Sequence, residues 1–504
     1  MVQDETRLRA AVAVTRFGLG ARPGEIEAVA ADPQGWLQGQ VRRSGAPQPG
    51  GEFPDTEARL VEFNVYLRDI REVRQERRQT PPPAMPMAGA PIEQEARTPE
   101  ENARRTINQG TAAQFLARAQ LGATTPDGFA ERWALFWSNA LTASATKFQS
   151  AVFLGQYERE AIRPHVFGRF EDLLVAADSH PAMLLYLDQA QSIGPNSILG
   201  ERRDAGLNEN LAREIMELHT VGADAGYTQA DVTELARALT GWSVPGPRDP
   251  ADPGASTARG RGLARGGNGG ARAQARAAAL AVERGPRGFA WRPGIHEPGS
   301  RTVMGRRYDQ GGVAQGETIL RDLANHPATA RRLARRIAVH FVADDPPASL
   351  VNRLEAAWTG SRGDLAAAAL ALIAAPEAWD PAPAKIKTPY EFIVSTHRAL
   401  GYPPQRIQPL QQALTAMGQP AFAPPSPEGW PDTAADWAGP DALVKRLDWA
   451  KAVADRAEML DPDAIAATAL GARLSERTRM AVTRAESRPE ALTLLLMSPE
   501  FQRR

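Results

Sequence analysis

The sequence predicts an all-α fold: a predominantly helical single body of two packed helical halves, interrupted by long irregular insertions. Three observations carry that expectation. Apolar residues recur at spacings of three and four along most of the 504 positions. Alternation of the kind that marks strands is scarce. Prolines and capping residues stand where helical patterns begin, and glycines stand where they end.

Taken in chain order, the N-terminal half is expected to hold helices at Thr111–Leu121, Arg169–Ala177 and Pro181–Gln189. The C-terminal half is expected to hold Gly316–Leu323, Pro327–Val342, Leu350–Trp358, Leu365–Ala374, Pro389–Leu400, Asp441–Leu460 and Pro489–Leu496. Pro181 and Pro327 fit the first helical position. His180 and His326 therefore read as helix-start residues rather than metal ligands.

The chemically densest stretch is Asn208–Trp242, NENLAREIMELHTVGADAGYTQADVTELARALTGW. At about 100° per residue, Glu209, Arg213, Met216, Glu217 and Thr220 share one helical face. Leu211, Ile215 and Leu218 form the opposing apolar stripe. His219 projects beside the core, diverging from Glu217 by about 160° on an ideal helix. Glu209, Arg213 and Glu217 form an i,i+4 ladder, which reads either as a solvated salt ladder or as an arginine-clamped carboxylate pair in a cleft. Gly222 marks the end of this helix, and Thr228 with Asp231 reads as a capping box for the next. The turn between them only brushes against the pattern of a calcium loop.

Two segments are expected to be irregular. Gln79–Thr98 is rich in proline and alanine, and Pro245–Arg287 is rich in glycine, alanine and arginine. The second divides the chain into residues 1–244, with the dense polar stretch, and residues 288–504. Just past it, His296 lies in the Pro/Gly loop WRPGIHEPG, where scaffolded loops often carry function. Pro424–Trp437 brings Trp430 and Trp437 together with several prolines. It reads as an aromatic wall for a sugar or peptide, or as a packed loop over helix ends.

Composition narrows the function. With 59 basic and 59 acidic residues the formal net charge is zero. No global field favours nucleic acid or an anionic membrane, and no nucleic-acid partner is expected. There is no cysteine, which excludes disulfides and thiolate chemistry. No phosphate loop, HExxH helix or GxSxG elbow is present, so the cofactor stays unknown and no metal site is expected. No run reaches the roughly 18 apolar residues of a membrane span. The first residues, MVQDETRLRA, lack the apolar core of an export signal. The expectation is a cytoplasmic protein, or a periplasmic one if an upstream signal has been removed.

The dense stretch also resembles the signature of the bacterial family called domain of unknown function 1800. RFGLGARPGE at 16–25, ERWALFWSN at 131–139, HPAMLLYLD at 180–188, HPATARRLARRIAVHFV from His326, KTPYEF from Lys387, PPSPEGWP from Pro424 and the terminal SPEFQRR agree with it. The resemblance implies a largely helical fold and no established reaction. It also implies, as a possible partner, a sulfatase-like protein of the domain of unknown function 1501 family, often encoded alongside. The chain departs from the family where a WHNHF-type motif is common: here it has Trp137-Ser138-Asn139-Ala140-Leu141.

Two functions compete at this point. In one, Glu209, Arg213, Glu217, His219 and His296 build the polar cleft of an acid–base hydrolase or lyase acting on a polymer or its fragments. In that reading Glu217 and His219 are the acid–base candidates, and His296 completes the Glu217 side. In the other, the protein is a non-catalytic accessory or scaffold for a sulfatase-like partner.

Overall fold

A computed structural model describes residues 2–79, 98–202, 206–247, 281–382 and 384–504. The fold is all-α, with 62 % helix and 4 % strand. The expected irregular insertions fall mostly on residues 80–97 and 248–280, outside the described residues.

The expected helices form, several of them longer than the periodicity alone marked, but the one from Pro181 ends at Tyr186 rather than Gln189 and the one over Asp441–Leu460 ends at Arg456. Three of them, α1 (Pro99–Thr124), α3 (Pro327–Phe341) and α4 (Pro389–Leu400), border a cavity together with α2 (Gly128–Ala140), a helix the periodicity did not mark. Two of their starts are chemically explicit. Thr98 with Glu101 and Thr388 with Glu391 close capping boxes on α1 and α4. His180 and His326 do begin helices: each Nδ1 accepts the backbone N–H two residues on, at 3.2 Å. That fixes the proton of His180 on Nε2, 3.1 Å from Thr56 Oγ1.

α2 is apolar nearly all round, and Phe129, Trp133, Phe136 and Trp137 are each buried. A helix of that kind belongs at the centre of a fold. Trp133 meets Phe341 of α3 with ring centroids 5.8 Å apart, and Trp137 meets Phe170 at 5.5 Å. One hydrophobic cluster runs from Ala10 to Ala378 in sequence. A second gathers residues 390–501 and takes Leu19, Phe115 and Ala119 from the N-terminal part. α1 therefore packs against both clusters.

The strands form two small sheets. Trp242–Ser243, Ala290–Trp291 and Glu283–Arg284 pair antiparallel, with Trp242 opposite Trp291 and Glu283 opposite Trp291. Arg301–Val303 and Arg306–Tyr308 form a hairpin with Arg301 opposite Tyr308. Its two turn residues, Met304 and Gly305, both have positive φ, at 47° and 77°, as a two-residue hairpin turn requires.

The polar signature departs from an ideal helix. Asn210–Glu214 is α-helical, but Ile215–His219 is a π turn. Thr220 locks it: its N–H and its hydroxyl both donate to the carbonyl of Ile215, at 2.9 and 2.6 Å. The wider turn rotates the side chains beyond it. Met216 and Thr220, expected on the polar face, are buried, and Leu218, expected in the core, is half-buried.

Candidate functional site

The structure puts the five residues expected to form a cleft in several places. Glu209 and Arg213 do pair, at 3.3 Å, on an outer surface where they remain 28 % and 41 % exposed. Gln229 and Thr233 of the following helix complete that patch. Thr233 above all holds the Glu209 carboxyl below its ordinary range. Glu217 is half-buried, and Arg332 donates to the carbonyl of the next residue, Leu218. His219 is fully buried, with Nδ1 3.0 Å from Asp178 Oδ1. His296 hydrogen-bonds Thr240, with Nδ1 2.8 Å from its carbonyl, and its ring packs against Trp291. Among the described residues, no hydrogen bond or ion pair joins His219 or His296 to Glu209, Arg213 or Glu217.

A cavity of about 120 Å³ lies elsewhere, between α1, α2, α3, α4 and the loop after Met417. Its apolar walls include Phe115, Leu135, Tyr157, Tyr390, Phe422 and Trp430. Its polar groups are Arg118, Arg132, Ser138, Asn139, Glu158, His340, Glu391, Gln419 and Asp432. A mostly apolar recess with a few convergent polar groups is the usual form of a small-ligand site.

His340 and Asp432 pair on the cavity wall, with Nδ1 and Oδ1 2.8 Å apart. α3 supplies the histidine one turn beyond Arg336, and the loop supplies the aspartate. Burial pushes His340 down to about 4, so the ring is neutral at pH 7. Burial alone would raise Asp432, but His340, Arg336 and Lys385 overcome it and hold the carboxylate ionised. With Nδ1–H donated to Asp432, the lone pair lies on Nε2, 3.4 Å from Arg132 Nε.

Arginines tie the floor together. Arg132 also donates to the carbonyls of Arg16, Gly18 and His340. Arg504 reaches Glu391 at 3.0 Å and the His340 carbonyl at 3.1 Å. Burial would raise Glu391, yet Arg504 and Arg132 bring it down to about 2. On the other side, Arg163 is clamped by Glu131 and Glu158, at 2.6 Å each, with the Glu131 and Arg163 side chains 0 % exposed. Glu158 passes the chain of charges on to Arg118 at 3.0 Å.

Asn139 holds the roof. Its Nδ2 donates to the carbonyl of Trp430 at 2.9 Å, and its Oδ1 accepts the Trp430 N–H at 2.7 Å. Ser144 Oγ and the Ala145 N–H bind the carbonyls of Pro424 and Phe422, at 2.7 and 2.8 Å. The Pro/Trp loop thus covers helix ends, with Trp430 on the cavity wall and Trp437 buried off it. In the WSNAL stretch, Asn139 is an anchor, and Ser138 puts an unpartnered buried hydroxyl on the cavity wall.

Sequence reasoning passed over this site because its charges are scattered across seven segments and none is dense locally. A signal existed in some of them. Glu131 and Arg132 interrupt an otherwise apolar helix, and Arg332, Arg336 and His340 recur every fourth residue on α3. ERWALFWSN, the end of HPATARRLARRIAVHFV, KTPYEF, PPSPEGWP and SPEFQRR all reach the cavity or its floor. Among the described residues there is no cluster of three or more His, Asp or Glu placed to hold a metal, and no helix long and apolar enough to cross a membrane. No curated protein and no solved structure matches the chain. The model of one family, Protein of unknown function (DUF1800), matches residues 12–503, and the chain belongs to that family.

Proposed function

We propose that the cavity is an active site for acid–base chemistry, of the hydrolase or lyase class, on a small molecule or on the terminal group of a larger one. The His340–Asp432 pair opening on an aromatic-walled cavity carries this reading. His340 is the base. Burial keeps its ring neutral, and Asp432 orients Nδ1–H and stabilises the imidazolium that forms when Nε2 takes a proton. The Arg132 contact at 3.4 Å is long, the kind of resting hydrogen bond that a ligand can exchange. Ser138 and Asn139 line the wall as further polar contacts. Size sets the substrate's scale. About 120 Å³ approaches the roughly 150 Å³ that encloses benzene, a size that suits an end group or fragment.

The test is turnover of a panel of small chromogenic esters, amides and elimination substrates. Activity should persist to acidic pH, with its base limb near 4 rather than near 6.5. His340→Gln should lower kcat by about 10²-fold or more, the usual worth of a general base. Turnover indifferent to His340→Gln rejects the reading. The accessory alternative draws on a different observation: Arg132 and Arg163 spend every nitrogen on structural partners. It predicts no turnover with any substrate of the panel.

A further inference from the structure

Arg118 leaves more of its guanidinium idle than Arg132, Arg163 or Arg398, while Arg504 and Arg16 on the floor each leave only Nε unpartnered. Arg132, Arg163 and Arg398 each donate from Nε and from both terminal nitrogens. Arg118 donates from one, Nη1, to Glu158. Its Nε is buried without a partner, and its Nη2 makes no hydrogen bond among the described residues. Idle donors on a largely buried guanidinium are costly. Here they belong to a group on the wall of a cavity.

The surroundings hold this guanidinium in place. Its carbon lies 4.6 Å from the centroid of Phe115, 4.7 Å from Tyr390 and 4.9 Å from Phe422. Rings at that distance favour a cation and restrict its rotamers. Glu158 is shared with Arg163, so it stays paired whatever Arg118 does. The same rings continue as cavity wall.

Resting on the reading of the cavity as a ligand site, we propose that Arg118 binds the anionic end of the ligand, and that this ligand is a small monocarboxylate with an apolar body. Charge selects the monoanion. Glu158, Glu391 and Asp432 already line the cavity, and a phosphate dianion would meet all three with one arginine's idle donors to offset them. The walls select the body, because the rings that hold Arg118 also offer flat apolar faces to whatever the carboxylate carries.

Benzoate is the probe, with neutral benzamide and inorganic phosphate as comparisons, titrated into the full chain by calorimetry in a carboxylate-free buffer. Benzoate should bind at least tenfold more tightly than either. Arg118→Met should abolish that preference and Arg118→Lys should restore part of it, while His340→Gln leaves it in place. Both arginine variants should fold, since Glu158 keeps Arg163. Benzamide binding as tightly as benzoate, phosphate binding more tightly, or benzoate binding unchanged in Arg118→Met overturns the proposal but leaves the cavity as a ligand site. If no probe binds, the proposal and the reading beneath it both fall.

Discussion

Arg213 and Arg163 are both arginines beside glutamates, and their removal should have opposite consequences. Arg213 meets Glu209 on an outer face and stays 41 % exposed. Exposed i,i+4 pairs stabilise by about 0.2–0.5 kcal/mol, so Arg213→Ala should move a denaturation midpoint hardly at all. Arg163 stands between Glu131 and Glu158 with no solvent contact. Arg163→Met leaves Glu131 as a buried carboxylate without its partner, a loss on the order of 3–5 kcal/mol. Urea titration of the two variants checks the contrast, and equal shifts would contradict it. The arginine clamped by two carboxylates, one of the two readings of Glu209–Arg213–Glu217 beside a solvated salt ladder, thus exists in this molecule at Glu131–Arg163–Glu158. Glu158 lies in a π-helical segment that Arg163 caps, at a spacing of five, and Glu131 comes from α2, so the i,i+4 spacing of an α-helix cannot reveal the clamp. His180 and His326 show the reverse case. Their role is local, one residue before a helix-starting proline, and the sequence displays it.

At the scale of elements, periodicity and capping chemistry mark where helices run, because both act within a few residues. They do not mark the π turn at Ile215–His219, which depends on Thr220 closing back on Ile215. The one extra residue in that turn is enough to move Met216 and Thr220 into the core. The loop from Gln419 to Asp432 is likewise illegible, since its conformation is set by the distant side chain of Asn139. Gly429 shows how tightly. It has φ of +93°, and a Cβ there would lie 2.5 Å from the Asn139 carbonyl oxygen and 2.7 Å from Thr142 Oγ1. Gly429→Ala therefore strains its own backbone and pushes the loop off α2, at a cost on the order of 1–3 kcal/mol. Asn139→Ala leaves the Trp430 N–H and carbonyl unpaired, with a similar loss. Both variants should admit protease at this loop while far-UV circular dichroism stays unchanged. An unaltered cleavage pattern would mean that the clamp does not hold the roof.

For the whole molecule, histidine burial gives a stability that depends on acidity in one direction. Burial comes first among the causes that push His165, His180, His296, His340 and His397 down from their ordinary value. His180 reaches about 3 and His340 about 4. The unfolded chain titrates these rings near 6.5. Below that value the unfolded state binds protons that the folded state refuses, so stability is full above about pH 6.5 and falls as pH drops toward 4. Each refused proton is worth about 1.4 kcal/mol per pH unit, so His180 and His340 together contribute roughly 3 kcal/mol per unit near pH 5. Burial raises Glu160 and Glu214 instead, and their relief on acidification subtracts from this slope without reversing it. The expected result is a melting temperature that drops steeply from pH 6.5 to 4.5. His180→Asn isolates one part, because asparagine can still accept the Ala182 N–H at the helix start and has no proton to refuse. That variant should lose about one proton's worth of slope and little stability at pH 5. A melting temperature flat across this range, or a slope untouched in His180→Asn, would show that the buried rings take up protons in place.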